Sequence, residues 1–336
     1  MPRRLGVQGL TQALRSASAL ILIALLTFAL APRARADTYP ARPIQIILSY
    51  PPAGAADILA RSLAERLGTL LKQAVVVDNR PGAGGAIGLM AAAKARPDGY
   101  TLYLASYTNQ AVAAAVYRTQ PADLQADFEP IARIGYAPHA LVVPAVLPVK
   151  TVAEFVNYVK AKPGAYNFAS QGLGTLSHLE AEVFMARTGI KLTHIPYKGS
   201  SDAQPALITN SASMMFDSIT GSLALVKAGK LRFLAVASKD RFPLLPDVPT
   251  LKQAGLDDMQ IDNQMGVFAP KGTPQAALDK ISAALEQVLA DPALRSSIVD
   301  KGMVIDYAPE ATLRASLAHE IRYWSKAVKA ADVKVE

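Results

Sequence analysis

Two doubly wound α/β units with a cleft between them are the fold this sequence predicts, and three observations predict it. The chain has 336 residues, 51% of them hydrophobic, which suits a large core and, at usual domain sizes, two compact domains rather than one. From residue 41 short apolar strands alternate with segments of helical length, the rhythm of a parallel sheet covered by helices on both faces. The rhythm runs twice, with crossover strands near Leu141 to Val146 and Met265 to Ala269 joining the two series.

In the first series "IQIILSY" is a strand, Asp57 to Leu71 a helix, "AVVVDN" a strand, the segment from Ala86 a helix and "YTLYLAS" a strand. The strands are apolar runs of strand length bounded by turn residues. After "HALVVPAVLPV" the second series begins with a helix near Val152 to Lys162 and the strand "YNFAS". A helix from about Thr175 to Thr188 leads to "LTHIPY", one near Asp202 to Ile208 to "ASMMFDS", and one near Gly221 to Ala228 to "LRFLAVAS". Three prolines in "RFPLLPDVPT" break the pattern before a further strand in "MQIDNQMGVFAPKG". Thr273-Pro274 and Asp291-Pro292 each fit an N-cap followed by proline at the first helical position. Leu278, Ile281, Leu285 and Leu289 then share one helical face. The expected division is 37–138 with 265–336 as a discontinuous first domain and 139–264 as the second.

Residues 1–36 fall outside this scheme. Arg3 and Arg4 precede an apolar stretch from about Ala17 to Ala31, and Ala34-Arg35-Ala36 supplies a small-x-small site, the pattern of a cleavable secretory signal peptide. An uncleaved anchor is the alternative, since the apolar run approaches the ~20 residues that span a bilayer; Pro32 and the Ala34/Ala36 pair favour cleavage before Asp37. Cleavage changes the charge. The five leader arginines, taken from 35 basic side chains, leave 30 against 27 acidic ones. The formal net charge of +8 and the basic pI are therefore mostly the leader's, and they give little support to a nucleic-acid partner. The absence of cysteine excludes disulfides, thiolate chemistry and a lipid on an N-terminal Cys, and a core of this size needs no disulfide staples.

Ligands of open α/β sheets bind beyond the carboxyl ends of strands, where the following helices begin. "SYPPAGAADILARSL" occupies such a place. Pro51 and Pro52 stiffen the strand exit after Tyr50, Gly54 permits close approach, and Ala53, Ala55 and Ala56 keep bulk away. Backbone N–H groups at a helix start then offer an anion site without Arg or Lys. Asp57 either answers the helix dipole as a first-turn acid or faces the cleft, where it disfavours a second anion and favours an ammonium or hydroxyl group. The matching loop of the second unit is "ASQGLGTLSHLEAE": Ser170, Gly172 and Gly174 lead to Thr175 and Ser177, and Ser177 to Glu180 fits a capping box. Other strand ends bring Ser106, Tyr107, Thr108 and Asn109; Tyr197, Lys198 and Gly199; and Phe216, Asp217 and Ser218. Among these, the candidate ligand-binding set is Tyr50, Ala53, Gly54, Ala55, Asp57, Ser106, Tyr107, Asn109, Ser170, Gly172, Gly174, Thr175, Ser177, Tyr197 and Asp217.

Other chemistries lack their motifs. "NRPGAGGAIG" lacks the third glycine of GxGxxG at its required spacing, no GxxxxGK[ST] occurs, and the glycine run reads as a turn near the cleft. No GxSxG surrounds any serine, and His139, His178, His194 and His319 form no HExxH or close ligand pair. No catalytic residue, metal site or cofactor is expected.

In order and spacing, "YPARPIQIILSYPPAGAAD", "VVVDNRPGAGGAIG", "ARPDGYTLYLAS", "NFASQGLGTLSHL", "HIPYKGSSDA", "MMFDS", "AGKLRFLAVAS", "LPDVPTLKQAGL" and "GVFAPKGTP" resemble the exported receptors of tripartite tricarboxylate transporters, the Bordetella uptake gene family. The resemblance runs from about Tyr39 to Ala331. It implies a two-lobed periplasmic binding protein fold, type II-like, that closes on a small organic acid and hands it to membrane permease subunits. One ligand carboxylate is then gripped by the loops Pro52 to Asp57 and Ser170 to Ser177, partly through water. Family ligands include dicarboxylates, tricarboxylates, acidic amino acids and aromatic acids. The expected protein is a periplasmic monomer without enzymatic activity or nucleic-acid partner; a sensor component using the same fold is the alternative. The first family loop usually carries glycine where Ala53 stands. If that position requires a positive φ, the loop is expected to rearrange, because alanine tolerates it poorly. Gln171, Leu173, Leu176 and Tyr107 are further departures that reshape the pocket.

Overall fold

The structure, a computed structural model, describes residues 39–330 apart from 118, 258 and 260; the expected leader lies outside the described residues. The first lobe is built on β1 (Ile44–Leu48), β2 (Val75–Asn79) and β3 (Thr101–Ser106), parallel in the order β2-β1-β3. β1 is apolar on both faces, with Ile44, Ile46, Ile47 and Leu48 all buried, as a strand covered on both sides requires. Helix α1 (Ala55–Leu71) connects β1 to β2 and buries Leu59, Leu63, Leu67 and Leu71 along one stripe. Helix α2 (Ala86–Ala93) follows β2 after a single turn of 3-10 helix at Ala83–Gly85. That turn is the glycine run of the sequence. Its end permits a close approach: a Cβ at Gly88 would lie 2.8 Å from the Ser49 Cα, so only glycine lets α2 pack on the exit of β1. Helix α3 (Tyr107–Val116) follows β3 directly.

β4 (Phe128–Pro144) links the lobes. Phe128 to Pro138 pair antiparallel with Pro270 to Asp262 of β9 (Asp262–Pro270), which itself pairs antiparallel with β3. From His139 the partners change to β7 (Met214–Ser218) and β8 (Leu231–Val236). The second sheet continues through β5 (Asn167–Ser170) and β6 (Thr193–Pro196), parallel to each other and to β7. Its helices are α4 (Val152–Lys160), α5 (Leu176–Thr188), α6 (Ser200–Ile208) and α7 (Ile219–Lys227). Thr151 and Glu154 close a full capping box at α4. The chain returns through β9 to α8 (Gln275–Leu289), α9 (Pro292–Asp300), the short β10 (Ala308–Pro309) on β4, and α10 (Glu310–Ala330).

The architecture is the expected two-lobed α/β fold. β4 nevertheless begins well before the apolar run that signals it. Pro130, Gly135 and Pro138 mask its first half in the sequence, and register shifts beside Pro130 and before Gly135 absorb the irregularity. One helix start also differs: α8 begins at Gln275 with Pro274 as its N-cap, and Thr273 donates its hydroxyl to Pro270 O (2.7 Å) instead of capping. Asp291 caps α9 through Ala293 N (2.9 Å), as its pairing with Pro292 predicts.

Lobe two has apolar clusters on both faces of its sheet, around Phe155, Phe168, Phe184 and Phe216 on one and Ala203, Leu207, Ile219 and Phe233 on the other. A further cluster ties the lobes, with Val112 and Val116 of α3, Leu176 and Leu179 of α5, Ile261, and Trp324 of α10.

Candidate functional site

Five helices start at one cleft of about 320 Å³. Gly54, Ala55 and Ala56 come from the start of α1, Ser106 and Asn109 from α3, Thr175 from α5, Gly199, Ser200 and Ser201 from α6, and Ser218, Thr220 and Gly221 from α7. Each of these helices follows the carboxyl end of a strand, β1, β3, β5, β6 and β7 respectively. The first N–H groups of a helix lack internal partners and lie at the positive end of its dipole. Of the five N-cap residues only Ser218 makes a side-chain cap, to Gly221 N (3.2 Å); Gly54, Ser106, Thr175 and Gly199 make none. No carboxylate lines the cleft, and Lys198 is the one charged side chain that does, among the described residues. The cleft lining is therefore electropositive, with helix N-termini and Lys198 facing no lining carboxylate.

The first loop departs from expectation at Ala53. Its φ is +66°, so the alanine adopts the left-handed conformation and the loop is not rearranged. That conformation costs an L-residue about 1–2 kcal/mol. Asp57 holds it there: the Ala53 N–H donates to Oδ2 (3.0 Å), Asn79 Nδ2 donates to Oδ1 (2.9 Å), and Arg61 Nε donates to Oδ2 (3.0 Å). Asn79 Nδ2 also reaches Tyr50 O (3.1 Å). Burial raises the Asp57 carboxyl, but hydrogen bonds from Arg61, Ala53 and Asn79 outweigh it and hold the group below the usual carboxylate range. Asp57 is 3% exposed and braces the loop rather than facing the cleft.

The second loop closes on itself and on the first lobe. Ser170 Oγ accepts from Gly172 N (3.1 Å) and lies 2.6 Å from His194 Nε2, while Thr175 Oγ1 donates to Gly172 O (2.7 Å). Burial, and then His178 stacked on it, push the His194 imidazole down to about 4. Gly174 has φ +69° and packs on Tyr117 of the first lobe, where a Cβ would come within 2.9 Å of the ring. The Tyr117 hydroxyl donates to Leu173 O (2.9 Å). Asn109 also crosses between lobes, its Oδ1 accepting from Leu176 N at the start of α5 (2.9 Å). The capping box expected at Ser177 and Glu180 does not form. Thr175 is the N-cap, so both residues fall inside the helix. There the Ser177 hydroxyl donates to Phe216 O, and Glu180 Oε2 meets His139 Nδ1 at 2.6 Å in a fully buried pair.

Of the expected ligand-binding residues, Tyr50, Ala53, Gly54, Ala55, Ser106, Asn109 and Thr175 line the cleft. The others stand behind it. Besides Asp57, Ser170, Gly172, Gly174 and Ser177, Tyr107 is buried in the first-lobe core with its hydroxyl 2.9 Å from Ser316 Oγ, and burial pushes that phenol up to about 12. Tyr197 packs on the second-lobe core. Asp217 is buried and accepts from Ser200 Oγ, Gln171 Nε2 (2.8 Å), Ser222 Oγ (2.7 Å) and Ser218 N (2.9 Å). It organises the wall made by Gln171 and Ser200.

Cleft residues outside the expected set are Pro51, Pro52, Ala56, Gln171, Lys198 to Ser201, Gln204, Ser218, Thr220, Gly221 and Asn263. "YKGSSDA" and "FDSITG" repeat the small-residue helix-start signature and could have marked most of them. Asn263 has no local signal. It comes from β9, where its Oδ1 accepts from the Ser106 hydroxyl across 157 positions of chain.

Comparison with known proteins agrees with this geometry. The family model described as tripartite tricarboxylate transporter family receptor matches residues 59–332. Protein BugT of Bordetella pertussis is 35% identical over 319 residues, 95% of this chain and 98% of that protein. The solved periplasmic binding protein BugD covers 89% of this chain and 100% of its own, with a TM-score of 0.81 at 32% identity. An R. palustris protein solved with adipate covers 88% of this chain and 99% of its own, with a TM-score of 0.84 at 30% identity. With a cleft built from helix starts and a matching family model over most of its length, the chain belongs to the receptors of the tripartite tricarboxylate transporter family.

Proposed function

We propose that the protein is exported to the periplasm, captures a small carboxylate between its lobes without chemical change, and delivers it to the permease subunits of a tripartite tricarboxylate transporter. The convergence of five helix starts on a cleft with no lining carboxylate carries this reading. Two details support it. Thr220 Oγ1 belongs to a cleft-lining residue of the second lobe and is buried without a hydrogen-bond partner, while the buried Tyr50 hydroxyl of the first lobe has Ser106 and Gln110 beside it. An unpartnered group of this kind costs free energy until a ligand satisfies it. Burial also pushes the Tyr50 phenol up to about 12, which keeps it a proton donor at physiological pH.

The lobes of the proposal are 37–138 with 265–336, and 139–264; the change of β4 partners between Pro138 and His139 supports the boundary. Closure follows where the closed form makes ligand contacts that the open form lacks. The bound adipate of the R. palustris relative supports a carboxylate as ligand. Calorimetric titration of the purified protein with aliphatic, aromatic and amino acids tests the proposal. Binding of one or more acids in the micromolar range or tighter, weakening as salt rises, is expected. No heat and no thermal shift with any acid refutes it.

A further inference from the structure

The wall that the second lobe gives the cleft contains two glutamines whose amides are oriented by groups behind them. Gln171 Nε2 faces Asp217 Oδ1 (2.8 Å) and Ser200 Oγ (3.1 Å). A carboxylate oxygen only accepts, and the Ser200 hydrogen is itself given to Asp217, so both partners require the amide nitrogen and use both of its hydrogens. Gln204 Nε2 donates to the carbonyl of Gly221 (2.6 Å), which again admits only nitrogen. In each residue Oε1 is left over, and Gln204 also keeps one Nε2 hydrogen. Neither Oε1 has a hydrogen-bond partner among the described residues, neither is sealed from solvent, and both residues line the cleft.

The other amide oxygens at the site are already engaged: Asn109 Oδ1 by Leu176 N, and Asn263 Oδ1 by the Ser106 hydroxyl. A cleft otherwise supplied with N–H and O–H donors for an anion therefore also holds two fixed acceptors. A ligand that is carboxylate alone leaves them unpaired on closure, at a cost in affinity. An ammonium group could pair with them, but it would sit among five positive helix ends and Lys198 with no lining carboxylate to offset them. A hydroxyl pairs with them at no such cost.

We infer that the ligand is a hydroxy acid, with Gln171 and Gln204 as its specificity-determining residues and Asp217 as the positioning residue that fixes the Gln171 amide. The inference rests on the proposed carboxylate capture and adds the group beside the carboxylate. Asp217 acts only through Gln171, so its replacement by asparagine, which offers an N–H of its own, lets the Gln171 amide reverse and present nitrogen to the cleft.

Calorimetric titration of the full mature protein with matched triplets tests this, for example malate, succinate and aspartate, and 2-hydroxyglutarate, glutarate and glutamate. In the best-bound triplet the hydroxy acid is expected to bind about tenfold more tightly than either companion, the worth of one good neutral hydrogen bond. Gln171→Leu and Asp217→Asn are each expected to reduce that ratio to threefold or less. Because the ratio is read on the folded fraction, a loss of stability does not move it. A wild-type preference below threefold overturns the inference while leaving carboxylate capture standing, as does a tenfold preference that survives both substitutions. Binding of no acid at all overturns both.

Discussion

Asp57→Ala removes the brace of the first loop, and its effects can be worked from the contacts. The Ala53 and Asn79 donors lose a charged acceptor in a nearly buried setting, each worth about 1.5–3 kcal/mol. The Arg61 pair adds little, because its guanidinium side is half exposed and screened by solvent. Part of the loss returns when Ala53, no longer held, relaxes from φ +66° and recovers about 1–2 kcal/mol of strain. The expected net loss is about 3 kcal/mol (range about 1–5) in urea denaturation. The relaxed loop no longer presents the start of α1, so affinity for every bound acid falls together, by about ten- to thirtyfold if restoring the loop costs 1.4–2 kcal/mol. Ala53→Gly in the Asp57→Ala background recovers much of the affinity, since glycine takes the left-handed conformation freely.

The pH dependence has a definite sign. A carboxyl held below its unfolded value contributes stability that is complete above about pH 4 and lost as pH falls through the depressed folded value, and Asp57→Ala removes that acid-limb slope. A variant within 0.5 kcal/mol of wild type with unchanged affinities refutes the brace. So does one in which only the ranking of ligands changes, the outcome expected of a side chain in direct ligand contact.

Three further outcomes follow from other parts of the fold. Ala55→Leu places bulk at the first residue of α1, where the alanine lines the cleft, and is expected to lower affinity at least a hundredfold in calorimetry with an unchanged unfolding midpoint; wild-type affinity would sink the backbone-capture model. Burial pushes the Glu320 carboxyl up to about 7 despite a bond from Trp324 Nε1 (3.0 Å). Its stabilising contribution is therefore full below about pH 4.5 and lost as pH rises through 7, so Glu320→Gln is expected to flatten stability between pH 5 and 8 and to gain about 2 kcal/mol at pH 8; an unchanged slope in denaturation at the two pH values contradicts it. Glu180→Ala strands His139, whose imidazole burial alone would lower but the Glu180 carboxylate raises, in a fully buried site. The expected loss is about 3–5 kcal/mol, and a denaturation midpoint within 1 kcal/mol of wild type would show that the pair is not ionic.

Local pattern was enough for most of the scaffold. "IQIILSY" and "ASMMFDS" read as covered strands and are strands, and the small-residue helix start at Gly54 and Ala55 lines the cleft. The same signature at "YKGSSDA" and "FDSITG" carried more of the site than expected, because a helix start advertises itself by composition alone. Reading failed where facing mattered. Tyr107, Ser177 and Asp217 sit at the proper ends of their strands, yet the packing of α3 against α10 and of α5 against β7 turns them away from the cleft.

What the sequence determined by itself is therefore the succession of strands and helices, the two lobes, and the small-residue helix starts that line the cleft, since each depends on residues a few positions apart. Only tertiary structure decided that β4 changes sheets at His139, that Ala53 is held at a positive φ by Asp57, that Asn263 joins Ser106, and that Asp217 is buried as an acceptor of the Gln171 amide. The physical reason is common to all four. Periodicity specifies a face within one element, whereas these outcomes depend on which faces meet across the fold, and on buried polar groups finding partners far along the chain.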